Sequence, residues 1–234
     1  MTGEDESRPG SPSARPLARP LAEPFPGVVL ETRRLVIRPP ALADAAALAA
    51  LADNPKIAQN LTRMPHPYSL RNAEAYIAEP CPEDGLKHLL WVKRGGVAAE
   101  FVGAITLDHR RGPVPELGYW LGEAYWNRGY ATEAAHAAVD YAFEVHGHER
   151  VNVSCRVTNG ASRRVIEKCG FQYTGQDLSP SAFFRSVVAI DCFSLDRRTW
   201  ESLRRWQPVS ILGATPRAEL QGASAGAAVM ERSL

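Results

Sequence analysis

Hydrophobic residues fall along this chain in three regimes, and only the middle one has a period. Up to Gly27 the sequence mixes Pro, Ser, Ala and Arg without apolar spacing. Such a segment buries too little to offset the entropy of ordering, so residues 1–27 are expected to form a disordered arm. From about Pro208 the chain again loses its pattern, with Gly213, Pro216, Gly222 and Gly226 among many alanines. Residues 208–234 are therefore expected to be a flexible tail, with a weak helix over 223–231 only if something packs on it.

Between these ends, Arg34-Leu-Val-Ile-Arg38 followed by Pro39-Pro40 predicts a short strand and a turn. Asp44 to Ala52 predicts a helix, broken by Asn54-Pro55 before a short one near Lys56 to Asn60. Ser69 is placed to cap a third, with Leu70, Ala73 and Ile77 on one face. Leu89 to Val92 and Glu100 to Leu107 flank Arg94-Gly95-Gly96 as a hairpin, and Glu116 to Leu121 extends the meander. The rhythm then changes to helix Tyr130 to Val145, strand Arg150 to Val157, helix Ser162 to Lys168, and strands near Phe171 to Thr174 and Val187 to Leu195. Antiparallel strands followed by a β-α-β-α-β half predict one α/β domain over residues 28–207, built on a mixed sheet.

Composition narrows the partners. The 27 basic and 26 acidic residues leave a formal charge of +1, which gives no electrostatic reason to bind nucleic acid or an anionic membrane. The four cysteines are far apart with no CxxC pair, and no apolar run is long enough to span a bilayer, so a cytoplasmic location is expected. His146-Gly147-His148 lies at a predicted helix end without a third ligand in sequence, so both are expected on the surface and no metal is expected.

The chemistry concentrates where the strand from Glu116 gives way to Trp126-Asn-Arg-Gly-Tyr-Ala-Thr-Glu-Ala134 and a helix. Gly129 and Ala131 allow close backbone approach. The amides of Asn127, Arg128, Gly129, Tyr130, Ala131 and Thr132 open a helix whose unpaired N–H groups and dipole favour an anion such as a diphosphate. A second turn, Asn159-Gly-Ala-Ser162, follows the next strand, and Lys168-Cys-Gly170 reads as a helix end. Ser162 reads equally as the cap of its helix and as a site residue.

Together these blocks, with Glu31-Thr-Arg-Arg-Leu-Val-Ile-Arg-Pro39 at the start and Arg198-Thr-Trp200 at the close, resemble the GNAT N-acetyltransferases, in particular their RimJ/RimL-like branch, over roughly Leu30 to Trp200. The resemblance implies a mixed, mostly antiparallel sheet, splayed at an acetyl-coenzyme A site, with helices on both faces. It implies that the pyrophosphate sits on the Gly129 turn and that the pantetheine arm pairs like an added strand between Glu116–Leu121 and Val151–Val157, with Asn159 bonding to it. Arg128 and Arg164 are candidates to reach a phosphate. A backbone N–H near Tyr119, Trp120 or Leu121 is the expected oxyanion donor, while Tyr119, Trp120, Tyr125 and Trp126 read as cleft walls.

Two positions depart from the family pattern: Trp126 replaces the usual Gln or Arg before the glycine, and Ile166 stands where many members carry the tyrosine that protonates the thiolate. Ser162 is the replacement acid candidate, and Glu116 the candidate to direct a water that deprotonates the amine. An α-amine with a pKa of about 7.7 to 8.0 is roughly a tenth neutral at pH 7, whereas a lysine near about 10.4 is almost wholly charged, so weak base machinery suits an N-terminal amine. The expected activity is direct acetyl transfer from acetyl-coenzyme A to a protein N-terminal α-amine, with no cysteine nucleophile. The rivals are acetylation of a small amine (antibiotic, polyamine or amino acid) and a non-catalytic acyl-coenzyme A-binding module. The expected assembly is a monomer or a homodimer.

Overall fold

A computed structural model describes residues 27–95, 97–204 and 209–212. The strands are β1 (Val29–Glu31), β2 (Leu35–Arg38), β3 (Leu86–Arg94), β4 (Val97–Asp108), β5 (Glu116–Leu121), β6 (Arg150–Arg156), β7 (Gln172–Ser181), β8 (Ser186–Asp196) and β9 (Ser210–Leu212). They form one open sheet in the order β7-β8-β6-β5-β4-β3-β2-β1-β9, antiparallel throughout except for β5 and β6. The helices are α1 (Ala45–Ala52), α2 (Pro55–Ala58), α3 (Leu70–Ala78), α4 (Tyr130–Glu144), α5 (Gly160–Lys168) and α6 (Arg197–Leu203).

Strand side chains alternate between two cores, as the pleat requires. Leu90, Ile105 and Leu107 pack with Ala134, Ala138 and Tyr141 of α4, and Trp200 of α6 joins the same cluster. Leu89 and Ala104 turn the other way, onto Leu48 of α1 and Ala73 of α3. The alanine-rich face of α4 lets the helix lie close to the sheet, which fixes where its N-terminus points.

Several elements differ from the sequence expectation. Asn159, not Ser162, caps α5: its Oδ1 accepts from the Ser162 amide at 3.0 Å, and the helix starts two residues early. Ser210–Leu212, expected within the flexible tail, pairs with β1 at the sheet edge, where Ile211 packs on the core. The β7–β8 hairpin is longer than its apolar run because β7 is the other edge strand, where Pro180 and polar residues are tolerated. Residues 1–26 and 213–234, including the predicted arm and the alanine-rich segment, lie outside the described residues. No helix among the described residues is long and apolar enough to cross a membrane.

His88 of β3 is buried, with Nε2 at 2.6 Å from the Val28 carbonyl, so Nε2 carries the ring proton. Burial pulls its pKa down from 6.5 to about 4. Because the unfolded chain takes up this proton first, stability is full above about pH 6.5 and falls as the pH drops toward 4, by about 2 kcal/mol at pH 5. Urea midpoints at pH 7 and 5 should show this loss in the native chain and a smaller one in His88→Gln.

Candidate active site

The parallel pair β5–β6 joins at two positions only, Glu116↔Asn152 and Leu117↔Val153. Beyond Leu117 the two strands separate, while β5 keeps its ladder to β4 up to Gly103↔Leu121 and β6 keeps its ladder to β8. Gly122 N–H donates to Val102 O at 2.9 Å, so by strand alternation the amides of Trp120 and Gly118 face β4, and those of Leu121 and Tyr119 face the gap. The gap therefore presents backbone donors and acceptors to an extended ligand.

At the open end of this gap lies the turn into α4. Asn127 (φ 59°) and Gly129 (φ 79°) are both left-handed and bracket Arg128, folding the backbone into a concave turn of the kind that gathers amides around an anion. Asn127, Arg128 and Gly129 are exposed, while Tyr130, Ala131 and Thr132 form the first turn of α4. A side chain at Gly129 meets backbone strain, and its Cβ falls 3.2 Å from Arg34 Nη2. Arg34 holds the turn from below: Nη1 donates to the Arg128 carbonyl at 2.8 Å, and the guanidinium lies 4.7 Å from the Tyr130 ring. Glu133 fixes Arg34 in turn, accepting from its Nε at 2.6 Å and its amide at 2.8 Å, and from Thr32 Oγ1 at 2.5 Å. Burial alone raises the Glu133 carboxyl, but the donors of Thr32 and Arg34 outweigh it and hold the group below its ordinary value. Thr32, Arg34 and Glu133 are site residues that sequence reasoning missed as such, although all three lie inside the blocks that carry the family resemblance.

The two walls of the gap carry different chemistry. Glu116 lies on the sheet face toward α1 and α3, its side chain 18% exposed rather than solvated. Its Oε1 accepts from Ser154 Oγ of β6 at 2.5 Å and lies 3.6 Å from Arg111 Nη1. On the opposite face, the Tyr119 hydroxyl lies 2.9 Å from Ser162 Oγ and 3.2 Å from the Ser162 carbonyl. Burial pushes the Tyr119 phenol well above its ordinary value, keeping it protonated. Cys155 reaches the same cluster through a hydrogen bond to the Ser162 side chain, and burial pushes its thiol up to about 11. Burial also raises Cys169, to about 12, so neither cysteine presents a thiolate at neutral pH.

Other positions are placed as follows. Trp126 donates Nε1–H to the Leu121 carbonyl at 2.8 Å and so closes the end of β5. Trp120 packs edge-on to Phe101, on the face away from Tyr119. Arg164 is exposed on α5, near Gly160. His146 and His148, expected on the surface, are half-buried: His146 meets the Tyr141 ring edge-on, and His148 Nε2 lies 3.1 Å from the Asp84 carbonyl. The segment from Asn60 to Tyr68 docks against the tip of the β7–β8 hairpin, where Ala182 N–H donates to Thr62 O at 2.8 Å.

A sheet split between parallel strands beside a glycine turn and helix N-terminus defines an acetyltransferase of the GNAT class, and residues 34–172 match the acetyltransferase (GNAT) domain family. The chain belongs to this family. It is similar to the N-acetyltransferase YoaA of Bacillus subtilis, itself uncharacterized, with 31% identity over 159 residues, 63% of this chain and 84% of YoaA. A match to YkkB of the same organism is 33% identical over 95 residues but spans only 39% of this chain and 55% of YkkB. Among solved structures, a GNAT acetyltransferase from Bacillus anthracis superposes with a TM-score of 0.62 at 20% identity, covering 73% of this chain and 99% of that one. Mycobacterium smegmatis RimJ, in complex with a coenzyme A disulfide, gives 0.58 at 18% identity, covering 86% and 96%. RimL, a ribosomal L7/L12 α-N-protein acetyltransferase in complex with coenzyme A, gives 0.56 at 16%, covering 70% and 95%.

Proposed function

We propose that this N-acetyltransferase takes its acetyl group from acetyl-coenzyme A and transfers it directly to a protein N-terminal α-amine. The observation that carries the reading is the β5–β6 gap, with a carboxylate on one face and a serine–tyrosine pair on the other. The Gly129 turn receives the diphosphate, and the open strand edges pair with the pantetheine amides. The amine attacks from the Glu116 side. As its nitrogen bonds to the acetyl carbon, its proton passes through a water to Glu116, and the Tyr119 or Leu121 amide holds the developing oxyanion. The C–S bond then breaks on the far face. When Tyr119 donates to Ser162 Oγ, the serine's own hydrogen is free to bond to the sulfur, which departs as a thiolate and takes its proton from solvent.

Support for a singly charged acceptor comes from how the nearby carboxylates are occupied. Arg63 pairs with Asp108 at 3.1 Å, and Arg111 pairs with Asp177 at 2.8 Å while also lying beside Glu116. These arginines offset the negative charge that a polyamine or aminoglycoside needs. RimL, named for acting on a protein α-amine, supports the same choice.

Thiol release from acetyl-coenzyme A, measured across N-terminal peptides, polyamines and aminoglycosides, tests this. Turnover is expected on peptides with a free α-amine and not on blocked ones. It should be lost in Gly129→Glu, which puts a carboxylate in the anion turn, and kcat should fall about a hundredfold or more in Glu116→Gln, in line with the usual size of a general-base contribution. Turnover on small amines alone sinks the N-terminal reading, and cofactor binding without turnover on any acceptor favours a binding module.

A further inference from the structure

We propose that Asp84, His109 and His148 form a binding site for a borderline divalent metal ion of the Zn²⁺ class. The three come from separate segments, the turn before β3, the residue after β4 and the turn after α4, and each offers a ligand atom within 4.8 Å of the others. They lie outside the gap that holds the transfer chemistry.

His109 carries the argument. Its Nδ1 lies 3.1 Å from the Pro113 carbonyl, which only accepts, so Nδ1 carries a proton and Nε2 is the nitrogen left to bind an ion. That Nε2 is buried, makes no hydrogen bond, and lies 3.0 Å from Asp84 Oδ1. Nε2 and Oδ1 close an ion pair when the ring is protonated, and a metal cation takes the place of that proton between the same two atoms. His148 completes the set, with Nε2 at 4.0 Å from Asp84 Oδ2 and its ring centroid 5.8 Å from that of His109.

The chemistry selects the ion. Two imidazoles and a carboxylate suit Zn²⁺ and its neighbours, whereas Mg²⁺ and Ca²⁺ want an oxygen shell. The His109–Pro113 hydrogen bond is the outer contact that orients a metal-bound histidine. Coordination by His148 Nε2 breaks its contact with the Asp84 carbonyl and requires the tautomer that carries the ring proton on Nδ1. The bound ion ties α4 to the loop of residues 109–115, which leads directly into Glu116.

The test is calorimetric titration of Zn²⁺ into the full chain after chelator treatment, alongside His109→Ala, His148→Ala, Asp84→Asn and a His66→Ala control, each checked for fold by circular dichroism. One equivalent is expected to bind the native chain and the control. Affinity should fall at least tenfold in each of the other three variants. The half-exposed Asp84→Asn reads the site if a histidine variant fails to fold. No saturable binding by the native chain overturns the proposal, as does affinity within twofold of native in Asp84→Asn or in the folded histidine variants.

Discussion

Exchange of Glu133 for alanine is expected to weaken acetyl-coenzyme A binding at least tenfold, about 1.4 kcal/mol, although its carboxylate bonds to Thr32 and Arg34 of the β1–β2 connection. Its carboxylate receives three donors from the β1–β2 connection, and through Arg34 it holds the Arg128 carbonyl, so its loss frees the turn proposed to receive the diphosphate. Arg34 is partly exposed, which limits the cost to folding. Glu133→Gln keeps the acceptor for Thr32 and the Arg34 amide but loses the charge, and should fall between the two. Calorimetry with acetyl-coenzyme A checks the series, and equal affinity in native and alanine forms removes Glu133 from the site.

Asp44→Ala is expected to have the largest effect on folding, about 3–5 kcal/mol by analogy with other buried pairs broken from one side. Arg38 and Asp44 form a bidentate pair at 2.8 Å and 2.8 Å, both nearly enclosed, and Asp44 also accepts from the Ala41 amide at 2.8 Å. Removing the carboxylate takes the bidentate Asp44 partner from a guanidinium buried over Trp91. The double variant Arg38→Met/Asp44→Leu, which removes both charges, should recover most of the loss in urea unfolding at pH 7. A double variant as unstable as Asp44→Ala excludes the stranded charge as the cause.

Much of the fold was legible because its signals are local. The strand, glycine turn and alanine-rich helix from Glu116 to Glu144 are contiguous, and Asn159 with Ser162 follows on the next crossover. The assignment within that second turn was not legible, since Asn and Ser are both good caps and only the backbone decides between them. Contacts between distant residues were equally hidden: 99 positions separate Arg34 from Glu133, and no spacing rule joins them. β1 and β9 are three residues each, too short for a period to register; β1 is held between β2 and β9, and β9 by its pairing with β1. Asp84 and His109 likewise reach His148 only through the fold, so two histidines at a helix end read as solvent-facing.

The brief β5–β6 seam also divides the sheet mechanically. Six strands, β9-β1-β2-β3-β4-β5, form one plate and three, β6-β8-β7, form another, joined by backbone at a single corner. The wedge between the plates is braced elsewhere by side chains, Glu116 to Ser154 near its apex and Tyr119 to Ser162 further out. Its opening angle is thus held by groups to which we assign the transfer chemistry, so on that proposal loosening either contact would change the width of the cleft as well as its reactivity.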